Sequence, residues 1–68
     1  MICREFFVVI YDNDIQCIKS IEARCDSLDN AKLFMDENAY IIKDLNRPHT
    51  YSKYEFRVNE VVIIKEEQ

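Results

Sequence analysis

The run REFFVVIY, Arg4 to Tyr11, constrains this chain more than any other stretch. Side chains of a strand alternate between two faces, so a run this dense in aromatic and β-branched residues puts apolar groups on both. It reads as a central strand, and a central strand needs cover on each side. The chain has 68 residues, and a domain of that size buries only about 60% of the surface its unfolded chain exposes. Cover is therefore scarce. A disulfide, a metal or a second subunit commonly supplies the missing stability.

Asp12, Asn13 and Asp14 follow the run as a turn signal, because short Asx side chains bond nearby backbone and tolerate left-handed geometry without glycine. A hairpin follows, with a second strand at 15–23. Alternation there puts Ile15, Cys17, Ile21 and Ala23 on one face and Gln16, Ser20 and Glu22 on the other. Ile18 and Lys19 break the pattern, which a bulge near Ile18 or an edge strand with a snorkelling lysine would explain. Ser27 is the expected N-cap of a helix over 28–38, with Asp29 in its first turn. At 100° per residue Leu28, Ala31, Phe34, Met35 and Ala39 share a stripe, and Leu33 lies off it.

Tyr40, Ile41 and Ile42 fit a continued helix, a short strand or a packed loop equally well. Residues 46–53 read as a loop, and Pro48 bars helix at Arg47. Alternation returns over Tyr54, Phe56 and Val58 and merges into VVII at 61–64, a long strand. The fold class is thus α+β: one helix on one face of a small antiparallel sheet, order β-β-α-β, with an extra short strand near 40–43 as an option. One helix cannot hide both faces. Phe7, Val9, Tyr11, Val61 and Ile63 need other cover, either from segment 39–53 folding back or, preferably, from a second copy in a homodimer.

Composition narrows the function classes. The chain has no Gly and one Pro, which removes Walker-type and dinucleotide-binding loops. Thirteen acids against nine bases give a net charge of −4, which disfavours broad binding to nucleic acid or anionic membrane. Cys3, Cys17 and Cys25 carry no zinc spacing and fit small buried hydrophobes in a reducing cytoplasm, with a Cys17 to Cys25 bridge as the minor option. The apolar run Phe6 to Tyr11 is too short for a membrane span or a signal peptide.

Chemistry is hard to assemble from these residues. The single histidine, His49, sits beside Pro48 in the loop, so no nucleophile has an obvious base and orienting acid. Asp12 with Asp14, and Asp36 with Glu37, are solvated pairs with nothing apolar to raise a pKa. A calcium loop starting at Asp12 lacks its glycine and its bidentate glutamate. No catalytic residue, cofactor or metal site is expected.

Two surfaces remain. On the outer helix face Asp29, Asp36 and Glu37 surround Leu33 at i−4, i+3 and i+4, an apolar anchor ringed by acids that suits a basic groove on a protein partner. A solvated helix face with one stray leucine is the commoner situation. The second surface interleaves bases and aromatics at Lys43, Arg47, His49, Tyr51, Lys53 and Tyr54, the composition of a single-stranded nucleic-acid platform. The overall acidity and the lack of a known RNA-binding motif favour ring packing on the sheet instead.

The FFVVIY strand, the hairpin, the helix opener SLDNAKLFMDEN and the terminal YEFRVNEVVII together resemble small phage and mobile-element proteins that include anti-CRISPR inhibitors. The resemblance is one of architecture, spans most of the chain and carries over no functional residue. It implies a stoichiometric inhibitor that binds a host defence nuclease and blocks its nucleic-acid or conformational step without chemistry of its own. The alternative classes are a small nucleic-acid-binding regulator and a dimeric structural or accessory protein.

Overall fold

A computed structural model describes residues 1–45 and 53–64. Its elements are β1 (Ile2–Asp12), β2 (Cys17–Cys25), α1 (Leu28–Glu37), α2 (Ala39–Leu45) and β3 (Tyr54–Ile64). The three strands form one antiparallel sheet in the order β2-β1-β3, so REFFVVIY is central as its composition requires. Val8, Val9 and Ile10 of β1 are buried together with Ala31 of α1. The expected antiparallel α+β architecture is present, but the order is β-β-α-α-β, and two short helices replace the single one.

Asn38 is the reason for the second helix. Its backbone N–H and its side-chain amide both donate to the Phe34 carbonyl, at 3.0 and 2.9 Å, and its φ of −112° leaves the helical range and closes α1 there. The helix restarts at once, with the Ile41 N–H donating to the Asn38 carbonyl at 3.0 Å. At the other end Ser27 caps α1 as expected, its hydroxyl accepting from the Asn30 N–H at 3.1 Å. Of the expected stripe, Ala31 is buried and Phe34 and Met35 are half-buried, whereas Leu28 is exposed and Ala39 belongs to α2. α2 itself buries no residue.

Register divides the sheet into two faces. Phe6, Val8, Ile10 and Asp12 of β1 share one with Val58, Phe56 and Tyr54 of β3 and with Cys25, Ala23, Ser20 and Cys17 of β2. Burial is concentrated on this face, which is the one the helices cover. Phe7, Val9 and Tyr11 lie on the other with Asn59, Arg57, Glu55, Arg24, Ile21 and Ile18. That face is covered in part: Val9 is only 1% exposed and Phe7, Tyr11 and Ile63 are half-buried, whereas Val61, Ile18 and Ile21 are exposed. The Arg57 guanidinium lies 3.6 Å from the Tyr11 ring centre and supplies part of this cover.

β2 corrects the expected face assignment. Its pairing with β1 slips twice, skipping Glu22 between Ala23 and Ile21 and Lys19 between Ser20 and Ile18. The second slip is the bulge expected near Ile18. Each extra residue turns the following side chains over, so Ile21 faces away from Cys17 and Ala23, and Ile15 falls in the turn, exposed.

The hairpin closes without glycine. Asp12 Oδ1 accepts from the backbone N–H of Asp14 at 3.0 Å and of Ile15 at 3.4 Å, and Gln16 takes the left-handed conformation with φ of 55°. A residue with a Cβ pays a steric penalty there that glycine avoids. Gln16→Gly is therefore expected to stabilise the fold by about 0.5 to 1 kcal/mol, read as a higher urea midpoint with unchanged slope.

Candidate functional site

Charge is distributed unevenly between the sheet and the helices. On the sheet, acids and bases pair with one another: Arg4 with Glu60 at 3.5 Å, Glu5 with Arg24, Glu55 with Arg57 at 2.5 Å, and Asp12 with Lys53 at 3.5 Å. The helical segment 26–45 holds five acids against two bases, a net −3 of the chain's −4. Asp29, Asp36 and Glu37 are exposed on α1, and none makes an ion pair with a described residue. Leu33, at the centre of this group, is 54% exposed.

Geometry places all four on one outer helix face, since residues three and four apart are neighbours there. Their position along the helix has an energetic consequence. Asp36 and Glu37 stand in the last turn of α1, which contains no basic residue. Carboxylates at a helix C-terminus oppose the dipole, by roughly 0.3 to 1 kcal/mol each at the surface. This helix end carries two negative charges beside an exposed leucine at a cost in helix stability.

The second surface is brought together only in part. Arg47, His49 and Tyr51 lie outside the described residues. Lys43 and Tyr54 line a shallow cleft of about 500 Å³ between α2 and the start of β3, with Ile42, Glu55 and Phe56. Lys19 and Lys53 stand at 5.1 and 5.4 Å from the Tyr54 ring centre. Lys19 was not among the expected site residues, and its only sequence signal was the broken alternation at 18–19. Lys53 is already engaged, within 3.5 Å of Asp12 and 3.9 Å of Asp14.

Asp12 is the most buried charged residue of the described chain, 3% exposed, and it joins the two ends of the sheet chemistry. One carboxylate oxygen holds the hairpin turn, the other faces Lys53, and the Lys53 carbonyl accepts from the Asn13 N–H at 2.9 Å. The Asp12 carboxylate, then Tyr54, and to a smaller extent Asp14 hold the Lys53 ammonium above the ordinary lysine value of 10.5, against a desolvation that lowers it.

Chemistry elsewhere is sparse among the described residues. No group of three or more His, Cys, Asp or Glu is arranged to hold a metal ion, and no helix is long and apolar enough to cross a membrane. Cys3, Cys17 and Cys25 are free thiols, and Cys17 is exposed rather than core. A Cys17 to Cys25 bridge is excluded, because the two cap opposite ends of β2, about 26 Å apart at the rise of a strand, where a disulfide spans less than about 7 Å. No protein-family model matches the chain, and no curated protein or solved structure does.

Asp12→Ala is expected to cost about 2 kcal/mol in urea denaturation by leaving the turn amides of Asp14 and Ile15 without their acceptor. Asp12→Asn, which keeps an oxygen for the turn, recovers most of that loss. A raised lysine pKa contributes stability fully below pH 10.5 that disappears as the pH climbs through the folded value. Wild-type stability should therefore fall above pH 10.5 more steeply than that of Asp12→Asn.

Proposed function

We propose that the chain is a non-enzymatic protein-binding module that docks through the outer face of α1, with Leu33 as the apolar anchor and Asp29, Asp36 and Glu37 as its charged rim. The observation that carries this reading is the pair of acids held, without a base, against the dipole at the end of α1 beside an exposed leucine. Surface charge selected only for folding would be reversed there. The matching partner surface is a basic groove with an apolar floor, the kind of surface with which a protein grips nucleic-acid phosphates. A carboxylate patch seated in such a groove competes with the polyanion by occupying its counter-charges.

That mode of action suits a stoichiometric inhibitor of a nucleic-acid-processing complex, such as a phage-encoded inhibitor of a host defence nuclease, and needs no chemistry from this chain. Direct nucleic-acid binding through Lys43, Lys53 and Tyr54 has weaker support. Lys53 is committed to Asp12 and Asp14, and Glu55 lines the same cleft.

The double reversal Asp36→Lys with Glu37→Lys separates function from folding. Thermal stability should stay level or rise slightly, because the helix end gains the charge it lacks. Capture of the partner from host lysate by immobilised protein should fall at least about tenfold, as loss of two rim charges and their replacement by like charge predicts. An unchanged captured set, alongside single-stranded oligonucleotide binding that weakens steeply with salt, would transfer the function to the Lys43 and Tyr54 side.

A further inference from the structure

The two edges of the sheet are built differently. β2 carries two bulges, at Lys19 and Glu22, and the charged residues Lys19, Glu22 and Arg24. Bulges and charges are the devices by which proteins blunt an edge against further strand pairing. β3 carries as many charges, Glu55, Arg57 and Glu60, but it has neither bulge nor proline and pairs with β1 in unbroken register over all eleven of its residues, from Tyr54 opposite Asp12 to Ile64 opposite Ile2. Among the described residues its other edge has no strand neighbour. From Val58 to Ile64 it reads VNEVVII, with one charge, Glu60, already bridged by Arg4.

The same end of the sheet is short of support. Pairing of β2 with β1 stops at Phe6, so Ile2 to Glu5 and Val61 to Ile64 form a two-stranded ribbon beyond the third strand. Such ribbons are marginal alone. Ile2, Val62 and Ile64 are 67, 53 and 76% exposed, on the helix side of the sheet but past the reach of the helices. At the opposite end of β3, α2 packs near its start with Ile41, Ile42 and Leu45 half-buried and Tyr40 exposed.

We propose that a second copy of the chain adds antiparallel along the free edge of β3, making a six-stranded sheet in the order β2-β1-β3-β3-β1-β2. Two identical antiparallel strands about a two-fold axis are self-complementary by construction. The antiparallel direction over 58–64 sets Ile64 of each copy opposite Val58 of the other and Val62 opposite Glu60, so the exposed Val62 and Ile64 side chains gain neighbours from the partner strand on the helix side of the sheet. Both helix layers fall on one side of the joined sheet, so their acidic outer faces remain in water. The bulged β2 edges end the assembly at two copies instead of a fibre. A seven-residue strand pairing with its flanking side chains buries on the order of 1,000 Å², at the low end of the area that specific interfaces use.

Sedimentation velocity of the full chain over roughly 1 to 500 µM tests the pairing. Wild type and Ile21→Lys, which alters only the other edge and face, should shift from monomer to dimer with concentration. Val62→Lys with Ile64→Lys should stay monomeric throughout with an unchanged circular dichroism spectrum, since lysines at these exposed positions cost the monomer little. Amide exchange of the wild type checks the mode independently of any variant: raising the concentration should protect alternate amides over 58–64, those that point away from β1. A wild type that is monomeric at every concentration overturns the proposal. So does a dimer that survives the double substitution and dissolves with Ile21→Lys.

Discussion

β1 must hide both of its faces and satisfy both of its hydrogen-bonding edges, and the rest of the molecule is arranged around that demand. β2 and β3 take the edges. α1 takes one face over Val8 and Ile10, while on the other Val9 is sealed by its own neighbours, with Arg57 laid across Tyr11. Burying an aliphatic side chain contributes about 1.5 to 3 kcal/mol, and only Val8, Val9, Ile10 and Ala31 are fully buried apolar residues among those described. With so thin a core, polar connections carry unusual weight. Asp12 is the foremost, tying the hairpin turn to the start of β3 through Lys53.

A division of labour between layers follows. Charges on the sheet neutralise one another, across strands for Arg4 with Glu60 and Glu5 with Arg24 and along β3 for Arg57 with Glu55. The surplus negative charge is left on the helices. Two surfaces of opposite character result: a polar, acidic helix face with one apolar anchor, and a neutral, apolar strand edge. The docking role proposed for the first rests on its charge, which would attract a cationic surface. Backbone hydrogen bonding suits the second to a strand, and the pairing proposed for it leaves the first surface free on both copies.

How much of this was legible in the residues depended on the range of the interaction. The acidic patch needs only helical periodicity, so Asp29, Leu33, Asp36 and Glu37 could be grouped from spacing alone. The Ser27 cap and the Asp12 turn are likewise written within three or four residues. The split at Asn38 was hidden, because the following Tyr40, Ile41 and Ile42 suit a helix, a strand or a loop, and seven residues are too few to show a period. The bulges in β2 were half hidden. Lys19 interrupts the alternation visibly, whereas Glu22 occupies a position where a polar residue alternates correctly, and so Ile21 was placed on the wrong face.

By itself the sequence determined the central strand, the hairpin, the capped helix and the terminal strand, since each rests on periodicities and side-chain to backbone bonds between close neighbours in the chain. Tertiary structure alone decided which edge of the sheet is blunted and which is straight. It also decided that Lys53 is spent on Asp12 and that Val9 lies sealed on the face that looked open. These facts depend on pairings between residues tens of positions apart, where register sets which atoms meet and local composition is silent.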